Sequence, residues 1–82
     1  MYIIDIMEKS KKSQINFSQN LKNLRAGHNK FGKKFSQQQV ATSTGLARSI
    51  ISEYENGIKE PTLGALIKLA EFFDITLNEL CY

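Results

Sequence analysis

Arg48, Ser49, Ser52 and Glu53 stand on the outward side of a short helical pattern running from about Arg48 to Glu55, while Leu46, Ile51 and Tyr54 recur at inward spacings. The chemistry open to such an outward set is recognition of hydrogen-bonding edges. An arginine donates two parallel bonds to guanine O6 and N7, a carboxylate accepts from cytosine N4, and serines serve in either direction. Glu53 is the awkward member, because a carboxylate is repelled by phosphate unless it meets an amine, so it either accepts from such an amine or serves to exclude wrong sequences. An arginine at a helix start is also at home in water, so Arg48 needs its surroundings to give it meaning. Other chemistries have fewer materials. The chain has a single cysteine, Cys81, and a single histidine, His28. No nucleophile-base set and no Cys-rich zinc site can be assembled from these, and the sequence predicts neither an enzyme nor a metal or cofactor protein.

The elements that must hold these side chains are legible from their ends. Ser36 supplies a hydroxyl N-cap with Gln39 three residues on, Val40 and Ala41 form the inward face of a second short helix, and Gly45 stops it. The third helix, Arg48 to Glu55, follows a tight turn and ends at Asn56-Gly57. Two short helices crossing closely at a small residue, Ala41, form a helix-turn-helix from about Gln37 to about Asn56. Upstream, Phe17, Leu21 and Leu24 mark a first amphipathic helix ending near Gly27. Downstream, Pro61 breaks the chain and Thr62 caps a fourth helix with a broad apolar face of Leu63, Leu66, Ile67, Leu69, Ala70 and Phe73. Thr76 and Glu79 repeat the capping signature for a short fifth helix.

The fold class is therefore all-α, a compact five-helix bundle over residues 15–82 preceded by an N-terminal arm over residues 1–14. The arm joins an apolar cluster, Tyr2, Ile3, Ile4, Ile6 and Met7, to Lys9, Lys11 and Lys12 without a clean period, and its order is left open. With 82 residues, 41% of them hydrophobic and 23% charged, the chain suits one folded domain. It carries neither a membrane span nor a basic-led signal, which predicts a cytoplasmic protein. The net charge of +3 hides an asymmetry: residues 1–34 hold eight Lys or Arg against two acidic residues, and residues 35–82 hold three against six. A basic half suits phosphate, though it is equally a solvated tail. Lys33, Lys34 and Lys59 flank the helix pair and either meet phosphates beside a groove or solubilise the domain.

The stretches Leu21-Lys22-Asn23-Leu24-Arg25, Phe35-Ser36-Gln37-Gln38, Val40-Ala41, Tyr54-Glu55-Asn56-Gly57, Glu60-Pro61 and Leu66-Ile67-Lys68-Leu69-Ala70 resemble the phage-repressor and Cro-like (lambda repressor-like) helix-turn-helix family. The resemblance covers roughly the last three-quarters of the chain. It implies a five-helix DNA-binding bundle whose third helix reads double-stranded DNA through Arg48, Ser49, Ser52 and Glu53. It also implies that Gln37 bonds a phosphate and braces the reading helix, that Asn56 contacts phosphate, and that Arg25 and Glu55 form a structural ion pair. A bacterial or phage transcriptional regulator, a repressor working as a homodimer on an inverted repeat, follows from it. The interface expected for the dimer is the end of the fourth helix with Leu77, Leu80, Cys81 and Tyr82. The alternative within the family is an antitoxin or restriction-modification controller whose main partner is a protein, bound through the arm. Four departures stand out, the first being Ile50 where a small polar residue is common, which either touches a thymine methyl or shields the helix flank. Ala47 occupies a position where a capping side chain is usual, Thr44 replaces an apolar residue before the turn glycine and is expected to loosen packing, and the loop from His28 to Lys34 is long.

Overall fold

In the computed structural model, which describes residues 16–82, a first helix (α1, residues 16–25) is followed by α2 (Gln37–Thr44), α3 (Arg48–Glu55), α4 (Leu63–Phe73) and α5 (Leu77–Cys81). These five helices are joined by loops and turns, with no strand among the described residues. The arm expected over residues 1–14, and any partner contact through it, lies outside the described residues. The first helix ends at Arg25, with Ala26 and Gly27 in the turn that follows.

Local capping sets the helix boundaries. Ser36 accepts from the Gln39 amide while the Gln39 side chain accepts from the Ser36 amide, and Thr76 and Glu79 make the same reciprocal pair at α5. Thr62 accepts from the Ala65 amide to start α4. At the other end of α2, Gly45 takes φ 75°, a left-handed conformation that a β-carbon disfavours, and its amide bonds to Ala41 O. α3 starts without a side-chain cap, because Ala47 has no acceptor to offer.

The core gathers one face from every helix: Phe17, Leu21 and Leu24 from α1, Val40 and Ala41 from α2, Ile51 and Tyr54 from α3, Ala65, Leu69, Ala70 and Phe73 from α4, and Leu80 from α5. Phe17 meets Tyr54 edge-on with ring centroids 5.7 Å apart, which ties α1 to α3. The Asn20 side chain donates to Leu80 O at 2.9 Å and closes α5 against α1. Three expectations change here. The apolar face of α4 is narrower than its sequence suggests: Leu66 is half-buried, while Leu63 and Ile67 are exposed. Leu80 is fully buried in the core and has no surface to lend to a dimer interface. Thr44 does not loosen its site, since it is buried and donates its hydroxyl to Val40 O at 2.7 Å, so the polar group is satisfied inside its own helix.

Candidate nucleic-acid interface

Arg48 and Ser49 occupy the first two positions of α3, and both side chains are exposed. Ser52 and Glu53, one turn further along, are half-buried. The opposite face of the same helix explains the difference, because Ile51 and Tyr54 are sunk in the core and Ile50 packs against it. α3 is thus anchored by one stripe and presents its first turn to solvent. Its length of eight residues corresponds to about 12 Å at 1.5 Å per residue. That is comparable to the width of a B-DNA major groove.

A hydrogen-bonded chain links this face to the rest of the bundle. Glu55, the last residue of α3, is 4% exposed and accepts from Arg25 Nε at 2.7 Å and Nη2 at 2.9 Å. The remaining Arg25 nitrogen, Nη1, donates to Phe35 O at 3.2 Å. The Glu55 carboxylate raises the Arg25 pKa through hydrogen bonding, against a smaller opposing effect of burial. Gln37, half-buried at the start of α2, donates through Nε2 to Glu55 Oε1 at 3.2 Å, and its Oε1 accepts from Arg48 Nη1 at 3.5 Å. One carboxylate therefore holds α1 and the entry to α2 on α3, and Gln37 passes that hold to the exposed arginine. Among the described residues no buried side-chain nitrogen or oxygen lacks a partner, so Glu55 is buried without an unpaired atom.

The other sequence-derived candidates sit around this face. Asn56 is exposed at the C-terminal end of α3, with Nδ2 3.4 Å from Ser52 Oγ. Lys59 lies exposed in the α3–α4 loop, and Lys33 and Lys34 are exposed before α2. Arg25, Gln37, Arg48 and Glu55 form one connected group, whereas Lys33, Lys34 and Lys59 are brought into no direct hydrogen bond with it. Sequence reading missed Asn29, whose side chain organises the α1–α2 loop. The signal was available: asparagine followed at the third position by Gly32 is a turn pattern. Cys81 is half-buried, and burial pushes its thiol pKa up, away from the range of an activated nucleophile.

Residues 30–80 match the helix-turn-helix family. The chain is 44% identical over 48 residues to the HTH-type transcriptional regulator AnsR of Bacillus subtilis (strain 168), covering 58% of this chain and 41% of that protein. It is 33% identical over 64 residues to the HTH-type transcriptional activator BcrR of Enterococcus faecalis, covering 78% and 29% respectively. Over 45 residues it is 36% identical to the cryptic phage CTXphi transcriptional repressor RstR of Vibrio cholerae, covering 55% of this chain and 40% of that protein. The matched region therefore spans less than half the length of each of these relatives. No solved structure matches the chain.

Proposed function

Because the chain belongs to the helix-turn-helix family, we propose that it is a sequence-specific, double-stranded DNA-binding transcriptional regulator that reads its operator through α3 and is not an enzyme. The observation that carries this reading is the pairing of an exposed first turn, Arg48 and Ser49, with a helix whose other side is locked into the core. Arg48 reads a guanine by two parallel bonds, Ser49 and Ser52 accept or donate at neighbouring edges, and Glu53 disfavours sequences that offer it no amine. Asn56, Lys33, Lys34 and Lys59 contact phosphates and set register without reading sequence. Gln37 braces Arg48 and turns toward a phosphate at the groove wall, and the Arg25–Glu55 pair is structural.

A reading helix of about 12 Å covers only a few base pairs, so the protein acts as a homodimer on an inverted repeat with half-sites about one helical turn apart. Occupying such a site blocks promoter access, which makes repression the proposed outcome. The exposed Leu63 and Ile67 of α4, together with Tyr82, are available apolar surface for that pairing. No described helix is long and apolar enough to cross a membrane. The cytoplasm of a bacterium, or of a phage-infected one, is the proposed place of action, and no cofactor takes part.

Random-site selection with purified protein tests the proposal. The parent enriches an inverted repeat, and Arg48→Ala relaxes preference at one position per half-site by about 1–3 kcal/mol. Absence of any enriched sequence at moderate salt overturns operator reading, and enrichment of a single half-site by a monomer overturns the dimer.

A further inference from the structure

Asn56 is the only asparagine of the chain that precedes a glycine; Asn16, Asn20, Asn23, Asn29 and Asn78 precede bulkier residues. That pair has a chemistry of its own. The backbone nitrogen that follows an asparagine can attack the side-chain Cγ, and a glycine leaves that nitrogen unshielded because it has no β-carbon.

The fold exposes the pair and restrains it only in part. Asn56 and Gly57 are both exposed at the C-terminal end of α3. Among the described residues the Asn56 carboxamide has one partner, Ser52 Oγ at 3.4 Å, and the Gly57 amide has one, Tyr54 O at 3.2 Å. Both are long beside the usual amide bond of about 2.9–3.0 Å. The firmer restraint is the bond from the Ile58 amide to Glu53 O, 3.0 Å, which closes the turn just beyond the pair. Gly57 has φ 69°, and a β-carbon there would meet nothing nearer than Ser18 Oγ at 3.7 Å, so the space around its nitrogen is open. The Asn56 ψ of 1° holds that nitrogen away from Cγ. Ring closure therefore waits for the terminal turn to open, and helix ends are where such opening costs least.

We propose that Asn56 and Gly57 form a self-modification site that withdraws the protein from DNA. When the last turn of α3 opens, the Gly57 nitrogen gives up its proton and bonds to Asn56 Cγ. The Cγ–Nδ2 bond breaks, and Nδ2 leaves with a proton as ammonia. One water then adds to either carbonyl of the resulting succinimide and reopens it, as aspartate or as isoaspartate. Either way a neutral amide becomes a carboxylate, and no redox partner is consumed. The functional half of the inference rests on the phosphate contact proposed above for Asn56: a hydrogen-bond donor is replaced by a negative charge facing a polyanion. The new charge also sits at the end of α3 where unpaired carbonyls form the negative pole of the helix, so the modified turn holds less well. A phosphate on the Asn56 amide keeps the turn closed, and free protein therefore converts faster than bound protein.

The test incubates the full chain in neutral buffer, free, on its selected operator and unfolded in urea, with peptide mapping by mass spectrometry at every asparagine. Conversion is expected at Asn56 alone in the free folded chain, faster in urea and slower on the operator. Asn56→Gln, which would have to close a larger ring, does not convert. The converted fraction, separated by ion exchange, is expected to bind the operator at least about tenfold more weakly, the worth of a bond to a charged acceptor, and Asn56→Asp reproduces the loss. No conversion in the folded chain, equal conversion at other asparagines, or one rate for folded and unfolded chain overturns the modification site. Unchanged affinity of the converted fraction, or no protection by the operator, overturns the withdrawal from DNA. Failure of the fresh parent to prefer any sequence is a separate outcome that removes the reading by α3 and leaves the mass-spectrometric result standing.

Discussion

Glu55→Ala should be among the most damaging single changes in this domain. The side chain is 4% exposed and accepts two bonds from Arg25, at 2.7 and 2.9 Å, and one from Gln37 at 3.2 Å. Removing it leaves a guanidinium that is only 27% exposed without its counter-charge, and leaves the Gln37 amide without its acceptor. Breaking one partner of a buried pair costs about 3–5 kcal/mol, and the partial exposure of Arg25 places the expected loss near the lower end, about 3 kcal/mol. A domain of this size has about 4–12 kcal/mol in total, so the variant should melt about 12–24 °C lower. Urea unfolding followed by circular dichroism measures the loss, and a double-mutant cycle with Arg25→Met and Glu55→Leu isolates the coupling. The double variant should recover most of the stability lost by Glu55→Leu alone, because an apolar pair of similar volume carries no desolvation penalty. A loss below about 1 kcal/mol in Glu55→Ala, or a cycle in which the two single losses simply add, would refute the claim that this pair holds α1 to α3.

Two smaller predictions concern helix ends. Ala47 has φ −71° and ψ 144°, close to the −76° and 161° of Ser36, so Ala47→Ser needs no backbone change to cap α3. It should raise stability by about 1 kcal/mol and the melting temperature by about 4–8 °C, and an unchanged melting temperature would mean that solvent already satisfies those amides. At α5 the Glu79 pKa is lowered, chiefly by the bond from the Thr76 backbone amide, then by the Thr76 side chain. Because the folded-state pKa is depressed, the stabilisation is present above the unfolded value of about 4.3 and is lost as pH falls through the folded one. An NMR titration should find the Glu79 carboxyl protonating below the ordinary glutamate range, and Thr76→Ala, which keeps the backbone amide and removes only the hydroxyl, should move it part of the way back up. No movement would dismiss the Thr76 hydroxyl as a contributor and leave the backbone amide as the cause.

What the chain specified by itself lies mostly within four residues of sequence. Ser36 with Gln39, Thr62, Thr76 with Glu79, and Gly45 mark helix ends through bonds between near neighbours, so the positions of those ends are written in the local sequence. The outward placement of Arg48 and Ser49 was likewise readable, because the inward stripe of Ile51 and Tyr54 leaves them no other side. The resemblance to repressors, rather than any local pattern, is what nominated Arg25 and Glu55 as partners. Only tertiary structure decided which apolar residues are covered. α4 is apolar on more of its circumference than the other helices can reach, so Leu63 and Ile67 stay in solvent, while the short α5 commits Leu80 wholly to the core. The same holds for Asp74, which meets Lys30 from forty-four residues away, and for Gln37, which reaches Glu55 and Arg48 across the helix pair. Those contacts depend on how helices cross, and crossing is settled by the packing of the whole set of buried side chains.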